Sequence, residues 1–218
     1  RIINSAKLID EITYDEMLEM SSSGAGVLMA RSVEFGRRYN VPIIVKSTFT
    51  NNKGTVVKEK TMEEAIVSGV THNDKEVKFT LFGVPDQPGI AGTVFGSLSE
   101  IGTNVDMIVQ NVSKESITDI SFTAPSEQQK DVEDALKNIS KQLDAKGYDV
   151  DENIARISII GAGMKSESGV ASKMFKTLGD NKINISMIST SPIRVSCVIS
   201  SNDIEKALNV LHEEFITN

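Results

Sequence analysis

Residues 89–108 read GIAGTVFGSLSEIGTNVDMI, and residues 169–188 read GVASKMFKTLGDNKINISMI. Laid over one another eighty positions apart, they match Gly89 with Gly169, Ile90 with Val170, Ala91 with Ala171, Phe95 with Phe175, Leu98 with Leu178, Asn104 with Asn184 and Met107 with Met187. Beyond the shared Asn the spacing shortens, so that Ser121 meets Ser196 and Leu136 meets Leu208. The chain therefore carries one unit twice, from Val77 to Leu143 and, with shorter turns, from Ala155 to Phe215.

Each copy reads as strand, helix, strand, strand, helix. Val77–Val84 and Arg156–Ile160 are apolar or alternating over strand length and open the copies. Asp86-Gln-Pro-Gly89 breaks the first pattern. From Ile90 to Ile101, Ile90, Val94, Phe95, Leu98 and Ile101 then share one helical face, as Val170, Met174, Phe175 and Leu178 do in copy two. Strands are expected at 105–112 and 117–123, and again at 185–190 and 193–200. Pro192 falls in the tight connection, where its missing N–H does little harm. Closing helices follow at about 128–143 and 203–215, with Asp203 as the expected N-cap of the second.

Copy one has a further strand near 148–150, whereas nothing after copy two supplies its counterpart. The stretch AIVSGVT at 65–71 belongs to neither copy and can fill that empty edge. The expected class is α+β, two ferredoxin-like βαββαβ domains in a nested tandem: 77–150, and 62–76 with 151–218.

Thirty acidic against 23 basic residues argue against electrostatic binding to nucleic acid or an anionic membrane surface. No apolar run approaches the roughly 18 residues of a membrane-spanning helix, and no signal peptide opens the chain. Cys197 is the lone cysteine, which excludes a disulfide framework and points to a reduced, cytoplasmic compartment. Other motifs fall short. Gly161-Ala-Gly163-Met-Lys165-Ser166 has Met164 where a phosphate loop needs glycine. Gly24 and Gly26 lead into a helix expected over 27–39, and His72 and His212 lack metal-spaced partners. The central strands also lack the aromatic pairs and basic surface with which a ferredoxin-like sheet binds RNA.

The turn after each first strand carries a different chemistry. N–H groups of Gly89, Ile90 and Ala91 at the positive end of a helix dipole suit a carboxylate, and Asp86 suits an ammonium. Asn104 and Asn184, at the entry to the neighbouring strand, add amide donors and acceptors. A zwitterionic amino acid fits that combination; an ordinary turn and cap is the plainer alternative.

Both copies resemble ACT domains, the βαββαβ modules that sense amino acids. Gly83-Val-Pro-Asp86-Gln-Pro-Gly89-Ile-Ala91 with Gly102-Thr-Asn104-Val-Asp106-Met-Ile-Val-Gln110-Asn111 is similar to the first ACT domain of aspartokinases. Ile160-Gly-Ala-Gly-Met164-Lys165-Ser166 with Ile183-Asn184-Ile-Ser-Met-Ile-Ser189-Thr-Ser191 and Ile193-Arg194 is similar to the second. Upstream, Ile12-Thr-Tyr-Asp-Glu-Met17-Leu-Glu-Met20, Arg31-Ser-Val-Glu-Phe35 and Tyr39-Asn-Val-Pro-Ile43 resemble the end of that family's α/β kinase domain.

The resemblance implies an enzyme that phosphorylates aspartate's side-chain carboxylate with ATP and Mg, on the route to lysine, threonine and methionine. Residues 1–61 would be a kinase remnant with a linker at 55–64, and the chain by itself would be catalytically inactive and hold no cofactor. Arg1 resembles a nucleotide-contacting Arg. Gly26 replaces the usual Lys after Gly-Ala, however, and Met29-Ala30 the usual His-Pro. A start at Arg1 suggests truncation, while Met62 sits where family members with a separate regulatory subunit begin one. Feedback inhibition by lysine, threonine or both is implied, with the effector held where ACT domains of two chains pair edge to edge in a homodimer and a kinase domain or catalytic subunit as partner. The implied contacts are Asp86, Gly89, Ile90, Ala91, Asn104, Gln110 and Asn111 in copy one, and Met164, Ser166, Gly169, Val170, Ala171, Asn184, Ile185, Ser189 and Ser191 in copy two. A stand-alone amino-acid-sensing ACT protein that acts through partner contacts is the alternative; the kinase-like residues 1–61 speak against it.

Overall fold

In the computed structural model of the chain, residues 2–61, 65–111 and 116–217 are described. In chain order the elements are β1 (Glu11–Thr13), α1 (Tyr14–Ser22), α2 (Ala30–Arg38), β2 (Ile43–Val45), β3 (Thr55–Lys58), β4 (Gly69–Asn73), β5 (Glu76–Pro85) and α3 (Ile90–Glu100). Next come β6 (Ile108–Gln110), β7 (Ile117–Pro125), α4 (Gln129–Gln142), β8 (Gly147–Asp151) and β9 (Ile154–Ile160). The chain then forms α5 (Val170–Asp180), β10 (Met187–Ser191), β11 (Arg194–Ser200) and α6 (Ile204–His212). Two compact units result: residues 74–155, and residues 1–73 with 156–218.

The 74–155 unit is a four-stranded sheet of order β6-β7-β5-β8, all neighbours antiparallel. The alternation in β5 sends Val77, Phe79 and Leu81 to the helix-covered face, where they meet Val94 and Leu98 of α3 and Val132, Leu136 and Ile139 of α4. Phe79 and Phe122 are register partners with ring centroids 5.3 Å apart, and Phe95 meets Phe122 edge-on at 5.7 Å. Each such side chain contributes about 1.5–3 kcal/mol by leaving water. Between Leu81 and Val84 the register shifts through a bulge at Gly83, whose φ of 62° only glycine adopts without strain.

Copy two builds the sheet β10-β11-β9-β4, in which Gly69–Asn73 pairs antiparallel with residues 156–160 of β9. This outer strand comes from before copy one in the sequence. Every residue of β9 is buried, because both of its faces are covered. Ile157 and Ile159 pack with Val170, Met174 and Leu178 of α5 and Leu208 and Leu211 of α6. On the opposite face Ile160 joins Ile12, Tyr14, Met17, Met20, Val33 and Val57.

Residues between Ile12 and Val57 supply all of that last cluster except Ile160, and they bring a small sheet of their own. β1 runs parallel and β2 antiparallel to β3 in a small sheet of order β1-β3-β2. Thr55–Lys58 is thus a central strand rather than linker, since the pairing satisfies its backbone groups; residues 62–64, with the supposed internal start at Met62, lie outside the described residues. The helix expected over 27–39 begins only at Ala30. Gly24 and Gly26 hold left-handed turns and Met29 is extended, so Val27 stays exposed while Val33 is buried. Phe35 too remains nearly half exposed.

Three further expectations change. Asp203 does not cap α6 with its side chain. Residues 201–203 form a 3-10 turn, and the Ser200 hydroxyl accepts the Asn202 N–H instead. The final helix ends at His212 and widens into a π-turn over Glu213–Thr217. The strands expected at 105–112 and 185–190 begin only at Ile108 and Met187, and Val112 lies outside the described residues.

Candidate functional site

Gly89 and Gly169 occupy equivalent N-caps, with φ of 95° and 90°. A side chain there would be strained, and a Cβ at either would meet nothing within 4 Å, so open space lies in front of both helices. Neither N-cap offers a side-chain acceptor. Helix geometry leaves the first-turn N–H groups without intrahelical partners, and the dipole adds positive potential. One expected donor is already engaged: the Ile90 N–H bonds to Gln87 O at 3.3 Å within the turn.

The other residues of copy one are divided between the two ends of α3: Asp86 precedes its N-terminus, and Asn104 follows its C-terminal end, where the Thr103 N–H bonds to Leu98 O. Asp86 is exposed, with its N–H bonded to Ser116 O at 2.8 Å. Asn104 and Gln110 are exposed, and Ile90 packs on the core below. Ala91 is half-buried in the first turn of α3. Asn111 lies beside the end of β5, next to Thr118, the register partner of Val84. It lines a hollow of about 330 Å³ with Phe82, Gly83, Ile117, Thr118, Asp119 and Lys146, its carbonyl taking the Thr118 hydroxyl.

In copy two Gly169 and Val170 open onto a groove of about 840 Å³ whose wall includes Val67, Val70, Lys173, His212 and Phe215. Lys173 there pairs with Glu214 at 2.8 Å. Met164, Ala171 and Ile185 pack against the core of copy two. Ser166 closes its own turn, N–H and hydroxyl both reaching Gly163 O at 3.2 and 3.1 Å. Asn184 is exposed, and Ser189 faces Ser196 across the β10–β11 ladder. Ser191 lines a separate groove of about 650 Å³ with Leu18 and Glu19 of α1, Ala30, Glu34 and Arg37 of α2, and Arg194. Arg1 lies outside the described residues.

β6 and β10 each form one of the two edges of their sheets. Each turns an isoleucine to solvent, Ile108 at 51% and Ile188 at 43% exposure, and these two occupy the same position of the repeat. An unpaired edge with outward apolar side chains is a template for pairing with another strand.

Sequence reasoning passed over Glu16, although Thr13-Tyr-Asp-Glu16 has the S/T-x-x-E spacing of a capping box. Glu16 Oε2 accepts the Thr13 N–H at 3.0 Å and its hydroxyl at 2.6 Å, while the Glu16 N–H donates to Thr13 Oγ1 at 3.2 Å. Its Oε1 accepts the Ala162 N–H at 2.9 Å and the Ser68 hydroxyl. Burial alone would raise this carboxyl; hydrogen bonds from Ser68, Thr13 and the Ala162 N–H outweigh it and hold the pKa below the ordinary range. One turn further along α1, Glu19 pairs with Arg194.

Models described as ACT domain match residues 78–144 and residues 157–215. An aspartate kinase of Pseudomonas fluorescens is 44% identical over 218 residues, covering 99% of this chain and 53% of its own length. The chain thus spans about half the length of the curated relatives it matches. Among solved structures, one of aspartokinase alpha and beta subunits is 38% identical with a TM-score of 0.65, covering 68% of this chain and 98% of its own. The ligand-free regulatory subunit of aspartate kinase from Thermus thermophilus is 35% identical with a TM-score of 0.66, covering 69% and 99%.

Proposed function

The chain belongs to the aspartokinase family, comprises its regulatory pair of ACT domains, and on that premise we propose that it binds lysine, threonine or both to restrain a kinase that phosphorylates aspartate. The observation that carries this reading is the repeated arrangement in which a left-handed glycine opens a helix N-terminus and an outer strand of the same copy turns an isoleucine to solvent. In this reading the first-turn N–H groups of α3 and α5 receive the effector's carboxylate. Asp86 receives its ammonium in copy one, and Asn104 and Asn184 supply amide contacts.

Two chains joined through β6 or β10 would cover Ile108 or Ile188 and enclose an effector on the adjoining turns. An effector that contacts both chains shifts the equilibrium toward the paired arrangement by its differential affinity for that state, and the kinase feels the shift through residues 1–61. In the intact protein ATP and Mg belong to the kinase domain or catalytic subunit, which is the expected partner.

Calorimetric titration of the chain with L-threonine and L-lysine, separately and together, tests this reading, with the D-enantiomers as controls. Saturable, stereospecific binding of either is expected, and coupling between the two would identify concerted inhibition. Absence of heat from both, with a folded and dimeric sample, would overturn the assignment.

A further inference from the structure

We infer that Glu16 is a positioning residue that ties helix α1 to the 161–166 turn, so that residues 13–22 respond when an amino acid occupies copy two. This rests on the amino-acid-sensing reading above. Four donors from three separate segments converge on the one carboxylate: the N–H and hydroxyl of Thr13, the hydroxyl of Ser68 and the N–H of Ala162. The residue is only 3% exposed. A buried charge is a poor way to gain stability, since a hydrocarbon of equal volume does as well. What it supplies is geometry, because its bonds form only when all three segments are in register.

The 161–166 turn is gripped on its other sides as well. Gly163 N–H donates to Ala65 O at 3.1 Å and Ser68 N–H to Ile160 O at 2.7 Å. A Cβ on Gly161 would lie 2.1 Å from Ile66 O, so backbone meets backbone there with no room between. Gly161 N–H reaches Ile193 O at 3.0 Å, next to Arg194, which Glu19 of the same helix holds. Glu16 and Glu19, three residues apart and so on one face of α1, thereby hold the turn of copy two that carries Met164 and Ser166 and the start of β11, where Arg194 is the register partner of Ser191. A shift of about 1 Å at the Ala162 nitrogen stretches its 2.9 Å bond to Glu16 beyond hydrogen-bonding range. The turn cannot adjust to an occupant without α1 being pulled or released.

Hydrogen exchange on the whole chain, followed in peptides covering 13–22 and 160–168, tests this with saturating L-threonine or L-lysine. In the unsubstituted protein the amino acid that binds is expected to change exchange in both peptides, by roughly tenfold, the scale of one charge-assisted hydrogen bond. In Glu16→Gln the 160–168 response persists and the 13–22 response disappears. Ser68→Ala, which removes one donor and leaves the carboxylate, gives an intermediate response and serves if Glu16→Gln does not fold. An unchanged 13–22 response in both variants overturns the relay, as does a 13–22 peptide that never responds while 160–168 does. Silence of 160–168 toward both amino acids in the unsubstituted protein overturns the sensing reading itself, and the relay with it.

Discussion

Arg194 Nη1 lies 3.1 Å from Glu19 Oε2, and the two side chains keep only 15% and 26% of their accessible surface. This ion pair joins the first residue of β11 to α1, and it is better shielded from water than Lys176–Asp180, whose side chains are 76% and 63% exposed. A double-mutant cycle over Glu19→Ala and Arg194→Ala, measured by urea unfolding, is expected to return a coupling of about 1 kcal/mol. The same cycle at Lys176 and Asp180 should return no measurable coupling.

Gly161 and Gly89 should respond differently to alanine. At Gly161 the added carbon lands 2.1 Å from Ile66 O, on backbone that cannot swing aside. The expected loss is about 3 kcal/mol or more. At Gly89 the space is open and only the left-handed φ is strained, which costs about 1–2 kcal/mol. Thermal or urea denaturation of the two variants separates these costs.

Glu16 gives stability a particular pH dependence. Its folded-state pKa lies below the ordinary 4.5, so its contribution is fully present above that value and is lost as pH falls through the lowered folded pKa. The advantage of the unsubstituted protein over Glu16→Gln, read from urea midpoints, is therefore expected to hold from pH 7 to 5 and to shrink below about 4.5. A gap independent of pH down to the acid transition would show that the carboxylate's charge contributes nothing.

Ala91→Thr and Ser191→Phe are expected to weaken the effector response by about tenfold or more while leaving the fold intact, through overpacking of positions that are half-buried. The routes differ. Ala91 sits in the first turn of α3, whereas a phenylalanine at 191 would press on the groove formed with Leu18 and Ala30. Titration calorimetry beside a melting curve checks both, and normal affinity in both variants would remove these residues from the site.

Cys197 is fully buried in β11, and burial pushes its thiol up to about 12. Only the thiolate reacts, so alkylation by iodoacetamide at pH 8 is expected to be negligible in the native chain and complete in denaturant. Rapid native labelling would show that β11 opens.

The repeat at 89–108 and 169–188 was enough to specify two copies of strand, helix, strand, strand, helix, because hydrophobic periodicity and glycine turns are local properties that each segment carries with it. The turns holding Asp86 to Ala91 and Gly169 to Ala171 were legible for the same reason. Local pattern could not say that Asp203 would lose its cap to Ser200, since a competing 3-10 turn differs from a capped helix by little free energy. Nor could it say that Thr55–Lys58 would pair as a central strand, or that Ile160 would be buried beneath Met17 and Val33. Those outcomes depend on contacts between residues far apart in sequence. The role of Glu16 is the sharpest instance. Thr13-x-x-Glu16 is a capping signal found on helices of any fold, and only the tertiary structure brings Ser68 and the Ala162 N–H onto the other oxygen, where an isolated buried charge would otherwise be intolerable.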